Sequence, residues 1–398
     1  MSMQGAYPRM RLKPGRERSL LKGHPWLFSG AVAGVEGRPG PGEIVQACRD
    51  DGLPLALGFF HGDADIVFRA VTFHAGAVID RTFWQERVRS AQALRRRILP
   101  AETTACRLLN AEGDGVPGLV VDRYGDGLVV AVNTAGMERF REEWLAALIE
   151  ECCPAWIYER SEGAARRMEG LEARIGVVSG GDIPPLVEIL EHGLRFEVDV
   201  VTGQKTGFFL DQRDNRLLLR TVCRGARVLN CFSYTGGFSV YAAQGGAERV
   251  VSVESSAPAN EAAARHLALN GFSPEAHPIV RGDVFQYLRR TEERFDVIIL
   301  DPPAFAKSKR DVKTACRGYK DISLQALRRL RPGGLLAAFS CSNYIDADLF
   351  EKIVLGAAQD AGCPLRLLKK LGPGADHPTG LAHSEGRYLK GLLLAMTD

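Results

Sequence analysis

A chain of 398 residues is too long for one ordinary core, and roughly 150 residues per domain suggests two or three domains. With 45% hydrophobic and 25% charged residues it reads as globular, and no run approaches the roughly 18 apolar residues that a membrane helix needs. A net charge of +3 excludes a uniform polycation, so any nucleic-acid contact must come from local clusters.

Residues 1–73 read as all-β. "GEIVQACRDDGLPLALGFFHGDADIVFRAV" holds short β-rich runs broken by the turn signals Asp50-Asp51-Gly52 and Gly62-Asp63. The opening "MSMQGAYPRMRLKPGRERSLLKG" lacks the apolar stretch of a secretory signal. The nine cysteines are odd in number and include no CxxC pair. Together these predict reduced thiols, a cytoplasmic location and no metal site. Arg9, Arg11, Lys13, Arg16, Arg18 and Lys22 crowd the first segment, and Arg95, Arg96 and Arg97 form a second cluster. Both suit a phosphate backbone, although a solvated charged face is the simpler account of either.

Residues 74–185 change pattern. "DRTFWQERVRSAQALRRRIL" predicts an amphipathic helix with Phe83, Val88, Ala91, Leu94 and Ile98 on its inner face. "RLLNAEGDGVPGLVVDRYGDGLVVAV" predicts two hairpins turning at 113–115 and 125–127, followed by the helix "ERFREEWLAALIEEC" and the strand "AWIYER". From 186 to 398, short apolar runs alternate with helix-length segments, the pattern of a parallel sheet with crossover helices, and two more strands close the chain.

In such a sheet, ligands bind beyond the carboxyl ends of the strands. The first strand ends in "NCFSYTGGFSVYAA", where Gly236 and Gly237 let the chain turn into a helix; this is not GxGxxG, so a dinucleotide cradle is poorly supported. The second ends at Glu254, a carboxylate suited to two ribose hydroxyls, and the third at Asp283, suited to an adenine amino group. Either acid alone would more simply be a polar strand end or a helix cap. In order, they match a pocket for an adenosine without phosphates. The fourth strand ends in Asp301-Pro302-Pro303, whose prolines hold the chain extended beside the pocket. The fifth, "LLAAFSCSNYI", ends in polar company around Cys341, where a merely space-filling thiol would sit better among leucines.

These runs resemble class I S-adenosylmethionine-dependent methyltransferases. More closely, the chain resembles the bacterial 23S rRNA cytosine carbon-5 methyltransferases. "GHPWLFSGAV" with "DIVFRAV" is similar to that family's N-terminal RNA-binding barrel, of the type shared with pseudouridine synthases and archaeosine transglycosylases. "LLNAEGDGVPGLVVDRYGD" is similar to its central domain, and "GQKTGFFLDQRDNR", "DPPAFAKSK", "CRGYKDI", "FSCSN" and "ADHP…EGRYLKG" to its catalytic domain. The implied architecture is multidomain α/β: a β-barrel over 1–73, a small central α/β domain over 74–185, and a Rossmann-like methyltransferase sheet over 186–398. The resemblance implies S-adenosylmethionine as cofactor, with Phe209, Asp211 and Arg213 closing over it. Asn230 to Gly237, Phe232, Tyr234 and Gly236 among them, would hold its methionine part, Glu254 the ribose and Asp283 the adenine. The implied partner is 23S rRNA or an assembling large subunit, with no membrane; a homodimer is compatible with such a barrel.

Carbon 5 of cytosine is a poor nucleophile, and a thiolate adding to carbon 6 makes it reactive. The reading assigns Cys341 as that nucleophile and Asp301 as the group orienting the base. Ser340, Ser342 and Asn343 would then suit a thiol facing a wet pocket. Cys316 is a distant second candidate, and Cys231 a packing residue. Some RNA cytosine methyltransferases carry a second cysteine after the fourth-strand proline; Pro303-Ala304 stands there instead, implying a one-cysteine scheme. The base removing the carbon-5 proton is unassigned; His377 is a candidate, though a local loop role is favoured for it. Lys205, Lys307, Lys309, Arg310, Arg317 and Lys320 would grip RNA phosphates or simply solubilise the surface. Alternatives are methylation of guanine nitrogen 7, which needs no thiol, and a non-catalytic RNA-binding assembly factor. A protein methyltransferase is less consistent with the N-terminal β-domain.

Overall fold

The computed structural model describes residues 7–397. The chain forms two compact units. One holds the residues up to Ile189 with Val198–Phe208 and Ala375–Gly386; the other holds Leu190–Glu197, Phe209–Gly374 and the chain from Arg387 on.

The first unit contains two sheets. Six strands run in the spatial order Trp26–Phe28, Ile66–Thr72, Pro54–Phe60, Ile44–Cys48, Arg9–Leu12, Val32–Val35. The two N-terminal motifs pair with each other here, Trp26 opposite Arg69. The Arg9–Leu12 strand buries Met10 and Leu12 and exposes Arg9 and Arg11, as a period of two requires. Lys13, Arg16, Arg18 and Lys22 are exposed as well. The second sheet has five strands, Arg174–Gly180, Trp156–Ser161, Gly127–Val132, Leu119–Tyr124 and Ala105–Asn110. Ile44, Leu57, Phe59 and Val71 of the first sheet share one core with Leu119, Val121 and Val130 of the second and with Trp84, Val88 and Trp144 of the covering helices. That common core makes the two sheets a single unit.

The helix Arg81–Ile98 starts where Asp80 accepts from the Phe83 amide. Its inner face is rotated from the expected one: Trp84 and Arg95 point inward, and Leu94 is largely exposed. Arg95, expected in a phosphate-facing cluster, is instead 3% exposed. It donates to both Asp114 oxygens at 2.6 and 2.7 Å and to the carbonyls of Arg107 and Asp376 at 2.8 Å. Four acceptors inside the fold draw it away from solvent; Arg96 and Arg97 remain exposed.

The second unit is built on seven strands: β1 (Arg227–Cys231), β2 (Arg249–Glu254), β3 (Ile279–Arg281), β4 (Phe295–Leu300), β5 (Leu330–Ser340), β6 (Leu365–Leu371) and β7 (Lys390–Met396). The spatial order is β3-β2-β1-β4-β5-β7-β6. β1 to β5 are parallel, and β7 is antiparallel to both β5 and β6. The helices are α1 (Arg213–Arg220), α2 (Gly237–Gln244), α3 (Ala257–Leu269), α4 (Val284–Arg290), α5 (Val312–Arg329) and α6 (Ala347–Ala361). Strand order reverses direction between β1 and β4, so the carboxyl ends of β1, β2, β4 and β5 border the crevice where ligands bind in such sheets. Among the described residues, no helix is long and apolar enough to cross a membrane, and no group of three or more metal-binding side chains is gathered.

Arg216 of α1 lies in this core with Glu191. The side chains are 3% and 1% exposed and form two parallel hydrogen bonds of 2.7 Å. Burial alone would pull the guanidinium down, but the carboxylate more than reverses it, so the arginine stays charged. Glu191→Ala leaves that cation buried without its counter-charge. The expected loss is about 3–5 kcal/mol, read from urea denaturation. Adding Arg216→Met to Glu191→Ala should recover part of it.

Candidate active site

The turn after β1 is the most strained part of the second unit. Phe232 and Tyr234 have φ of 59° and 46°, left-handed values that non-glycine residues seldom adopt. Gly236 follows at φ 78°, and a Cβ there would lie 2.9 Å from the Ala263 Cβ of α3. A side chain at this position would therefore be strained by the backbone and crowded by α3. Asn230 is 1% exposed and donates to Ser239 Oγ at 2.8 Å, which shares a 2.7 Å hydrogen bond with Ser252. Asn230 Oδ1, Ser233 Oγ and Thr235 Oγ1 are all buried without a hydrogen-bond partner among the described residues. Three such atoms on one turn are what a polar ligand would satisfy.

His266 of α3 braces this turn. Nδ1–H donates to the Thr235 carbonyl at 2.7 Å, and Nε2 accepts from the Glu197 amide at 3.0 Å. Glu254 braces it from β2, accepting from the Tyr234 amide at 3.1 Å and the Ser256 amide at 2.9 Å. An ionised carboxylate has about four acceptor positions, so these bonds leave room for a ligand hydroxyl. Asp283 caps α4, its Oδ1 accepting from the Gln286 amide at 2.9 Å, and is exposed.

The 209–213 segment joins the same neighbourhood. The rings of Phe209 and Tyr234 meet edge to face at 5.2 Å. Asp211 is 2% exposed and accepts from the Tyr388 hydroxyl at 2.6 Å. Arg213 is fully buried, its Nε 3.6 Å from Asp214. Gln212 donates to Asp301 Oδ2 at 3.0 Å, and Asn215 donates to Gln212 Oε1 at 2.6 Å. The Asp301 carboxylate is thus held from a segment nearly ninety residues earlier (|i−j| is 89).

Cys341 directly follows β5, whose Ala338 lies opposite Leu300, the last residue of β4. The residue is partly exposed. Of its polar neighbours, Asn343 is exposed, whereas Ser340 and Ser342 are both 0% exposed. Ser342 Oγ accepts from the Ala306 amide at 3.2 Å and shares a 2.9 Å hydrogen bond with the Tyr319 hydroxyl, while its amide donates to Ser340 Oγ at 3.3 Å. Burial pushes the Tyr319 phenol up, so it stays protonated at neutral pH. The Phe305 ring is tilted by 40° against that of Tyr319, with centroids 4.5 Å apart, and lies 3.2 Å from where a Gly318 Cβ would be. The glycine of "CRGYKDI" therefore makes room for the loop that follows Asp301.

Cys316 packs partly buried against the core, and Cys231 is fully buried, with burial pushing its thiol up. His377 and Lys205 fall in segments belonging to the first unit; the His377 ring is 4% exposed and lies 3.0 Å from Asp376. Lys307, Lys309, Arg310 and Arg317 are exposed, whereas Lys320 pairs with Asp360 at 2.8 Å. Gln212, His266, Tyr319, Tyr388 and Lys390 were not singled out from the sequence. Four of them lie inside motifs quoted above, which was the available signal.

Residues 160–379 match the S-adenosylmethionine-dependent methyltransferase family, and residues 10–73 a PUA-like domain. The chain is 45% identical to Ribosomal RNA large subunit methyltransferase I of Aeromonas salmonicida, covering 96% of this chain and 98% of that one. It is 44% identical to the protein of the same name from Erwinia tasmaniensis, over the same shares. A protein crystallised in complex with SAH superimposes with a TM-score of 0.84 at 25% identity, covering 97% of this chain and 99% of that one.

His192, His266 and His277 of the second unit are all held below the ordinary histidine value, burial being the main cause. The folded state therefore binds fewer protons than the unfolded chain below about pH 6.5. The contribution of these histidines to stability should be level above that pH and fall beneath it, by at most ~1.4 kcal/mol per pH unit for each histidine. Urea midpoints measured from pH 7.5 to 5.5 check this. His266→Gln should give a shallower slope whatever its absolute stability.

Proposed function

Because the chain belongs to the Ribosomal RNA large subunit methyltransferase I family of S-adenosylmethionine-dependent enzymes, we propose that it forms 5-methylcytosine in large-subunit rRNA through a covalent Cys341 adduct. The observation that carries this reading is a partly exposed Cys341 just after β5, the strand beside the one that Asp301 follows.

The buried, unpartnered atoms of Asn230, Ser233 and Thr235 fit the polar methionine end of the cofactor. Glu254 would hold the ribose hydroxyls and Asp283 the adenine amino group. Phe209, Asp211 and Arg213 would close over the cofactor, with Phe232, Tyr234 and Gly236 shaping the turn beneath it. Bound S-adenosylmethionine supplies an electrophilic methyl on a sulfonium.

Asp301, steadied by Gln212, orients the pyrimidine edge. The Cys341 thiolate adds to carbon 6, and the electron pair moves to carbon 5, which takes the methyl. Loss of the carbon-5 proton and expulsion of the thiolate restore the ring. The target base must leave its stack to expose both faces. The exposed cations of the first segment, on a PUA-like domain, suit the phosphate backbone and sequence-independent grip.

RNA carrying 5-fluorocytosine tests this directly, because fluorine cannot leave as a proton. The expected result is a covalent adduct that maps to Cys341 and one base. Cys341→Ala should abolish the adduct and lower turnover by at least ~10³-fold, with S-adenosylmethionine binding retained. Full activity in Cys341→Ala would instead mark chemistry that needs no thiol, such as methylation of guanine nitrogen 7.

A further inference from the structure

Lys390 opens β7, and the antiparallel register sets it opposite Ser340, one residue before Cys341. Its Nζ reaches past that residue and donates to the Ser342 carbonyl at 2.6 Å. The side chain therefore brackets Cys341, with its backbone opposite one neighbour and its ammonium bonded to the other. Lys390 is only 9% exposed. Lysine is rarely buried without a compensating partner, and a carbonyl alone is a weak one for a full charge.

We propose that Lys390 is a positioning residue whose ammonium sets how much of Cys341 is thiolate at working pH. This rests on the reading of Cys341 as nucleophile. The pair and the titratable groups around it belong to five elements. Lys390 itself belongs to β7, and Cys341 follows β5. Tyr319 comes from α5, and Asp346 from the start of α6. Asp301 follows the neighbouring β4. Burial pushes the Lys390 ammonium down to about 8, against the pull of Cys341 and Asp346. That pull is reciprocal: whatever a thiolate does for the ammonium, the ammonium does for the thiolate. Asp346 is engaged elsewhere, accepting from the Leu349 amide at 2.8 Å as the cap of α6. Tyr319 stays a neutral phenol. Among these described groups, Lys390 is the one that carries a positive charge. In the step concerned, the Cys341 S–H bond breaks, its proton passes to solvent, and the electron pair stays on sulfur. Lys390 keeps its three protons throughout.

The test is the pH dependence of Cys341 alkylation by iodoacetamide in the full chain, read at that site by peptide mass spectrometry. In the wild type, the half-rate pH should lie at least about one unit below that of a free Ser-Cys-Ser-Asn peptide. In Lys390→Met it should rise by about a unit, leaving roughly tenfold less thiolate at pH 7, and Lys390→Arg should recover part of that shift. A merely structural lysine would change the yield of folded protein without moving the half-rate pH; calorimetric S-adenosylmethionine binding reports which protein is folded. An unmoved half-rate pH in folded Lys390→Met overturns the proposal. If that variant does not fold, a wild-type half-rate pH equal to or above that of the peptide overturns it. The fluorocytosine adduct separates the two claims. Adduct formation with an unmoved half-rate pH sinks the role of Lys390 alone, and a moved half-rate pH with no adduct sinks the covalent reading alone.

Discussion

The second unit's functional edge depends on the hydrogen bonds converging on Ser342. Its hydroxyl takes the Ala306 amide from the loop after Asp301 and meets the Tyr319 hydroxyl from α5. Its amide ties back to Ser340, and its carbonyl receives Lys390 from β7. All of this is buried, where leaving a partner unsatisfied costs about 1–3 kcal/mol per group. The residue after Cys341 is therefore fixed from three separate elements. A nucleophile held in this way loses little further freedom on reaching an attacking geometry, the condition under which proximity is effective. The two serines flanking the cysteine are spent on internal bonds, while Cys341 itself stays partly exposed.

The neighbouring turn is held by other means. After β1 the chain passes through two left-handed non-glycine residues before Gly236, a conformation that persists only where surrounding contacts over-determine it. Those contacts are visible. His266 holds the Thr235 carbonyl, Glu254 holds the Tyr234 amide, and Phe209 packs on the Tyr234 ring. The same contacts leave Asn230, Ser233 and Thr235 each with a buried polar atom unanswered. Strain and unsatisfied polar atoms at one strand end are costs that a purely structural turn would have no reason to carry.

Much of this was legible in the chain. Alternating apolar runs and helix-length spacers announced the parallel sheet, and small or acidic residues closing each run marked the strand ends. What escaped notice was the direction of individual side chains. Arg95 reads as part of a basic run, yet Asp114 and two carbonyls wait for it inside the fold. Ser340 and Ser342 read as polar company for a thiol facing a wet pocket, and both are spent on internal bonds. Lys390 was hidden for a topological reason. Its partner lies 48 residues earlier, and only the antiparallel insertion of β7 beside β5 brings the two together. Composition and spacing carry no trace of that register. Asp283 shows the opposite case, since the cap expected of a lone acid before a helix is what its Oδ1 does.

The charges along the strand ends also divide by task. A sulfonium donor is cationic, and the side on which it would lie presents Glu254, Asp283 and Asp301, carboxylates at three strand ends. A thiolate is anionic, and the buried cation beside the fifth strand end is Lys390. Placing both signs within one sheet edge carries a desolvation cost for each, and a lysine buried to 9% exposure bears more of it than the half-buried Glu254 and Asp301 or the exposed Asp283 do. For a reaction through a nitrogen lone pair, that buried cation would stabilise nothing that forms during turnover. For a reaction through sulfur, it faces the one atom whose charge must appear and then disappear. The position of Lys390 is thus easier to account for by thiolate chemistry than by any mechanism that leaves Cys341 a bystander.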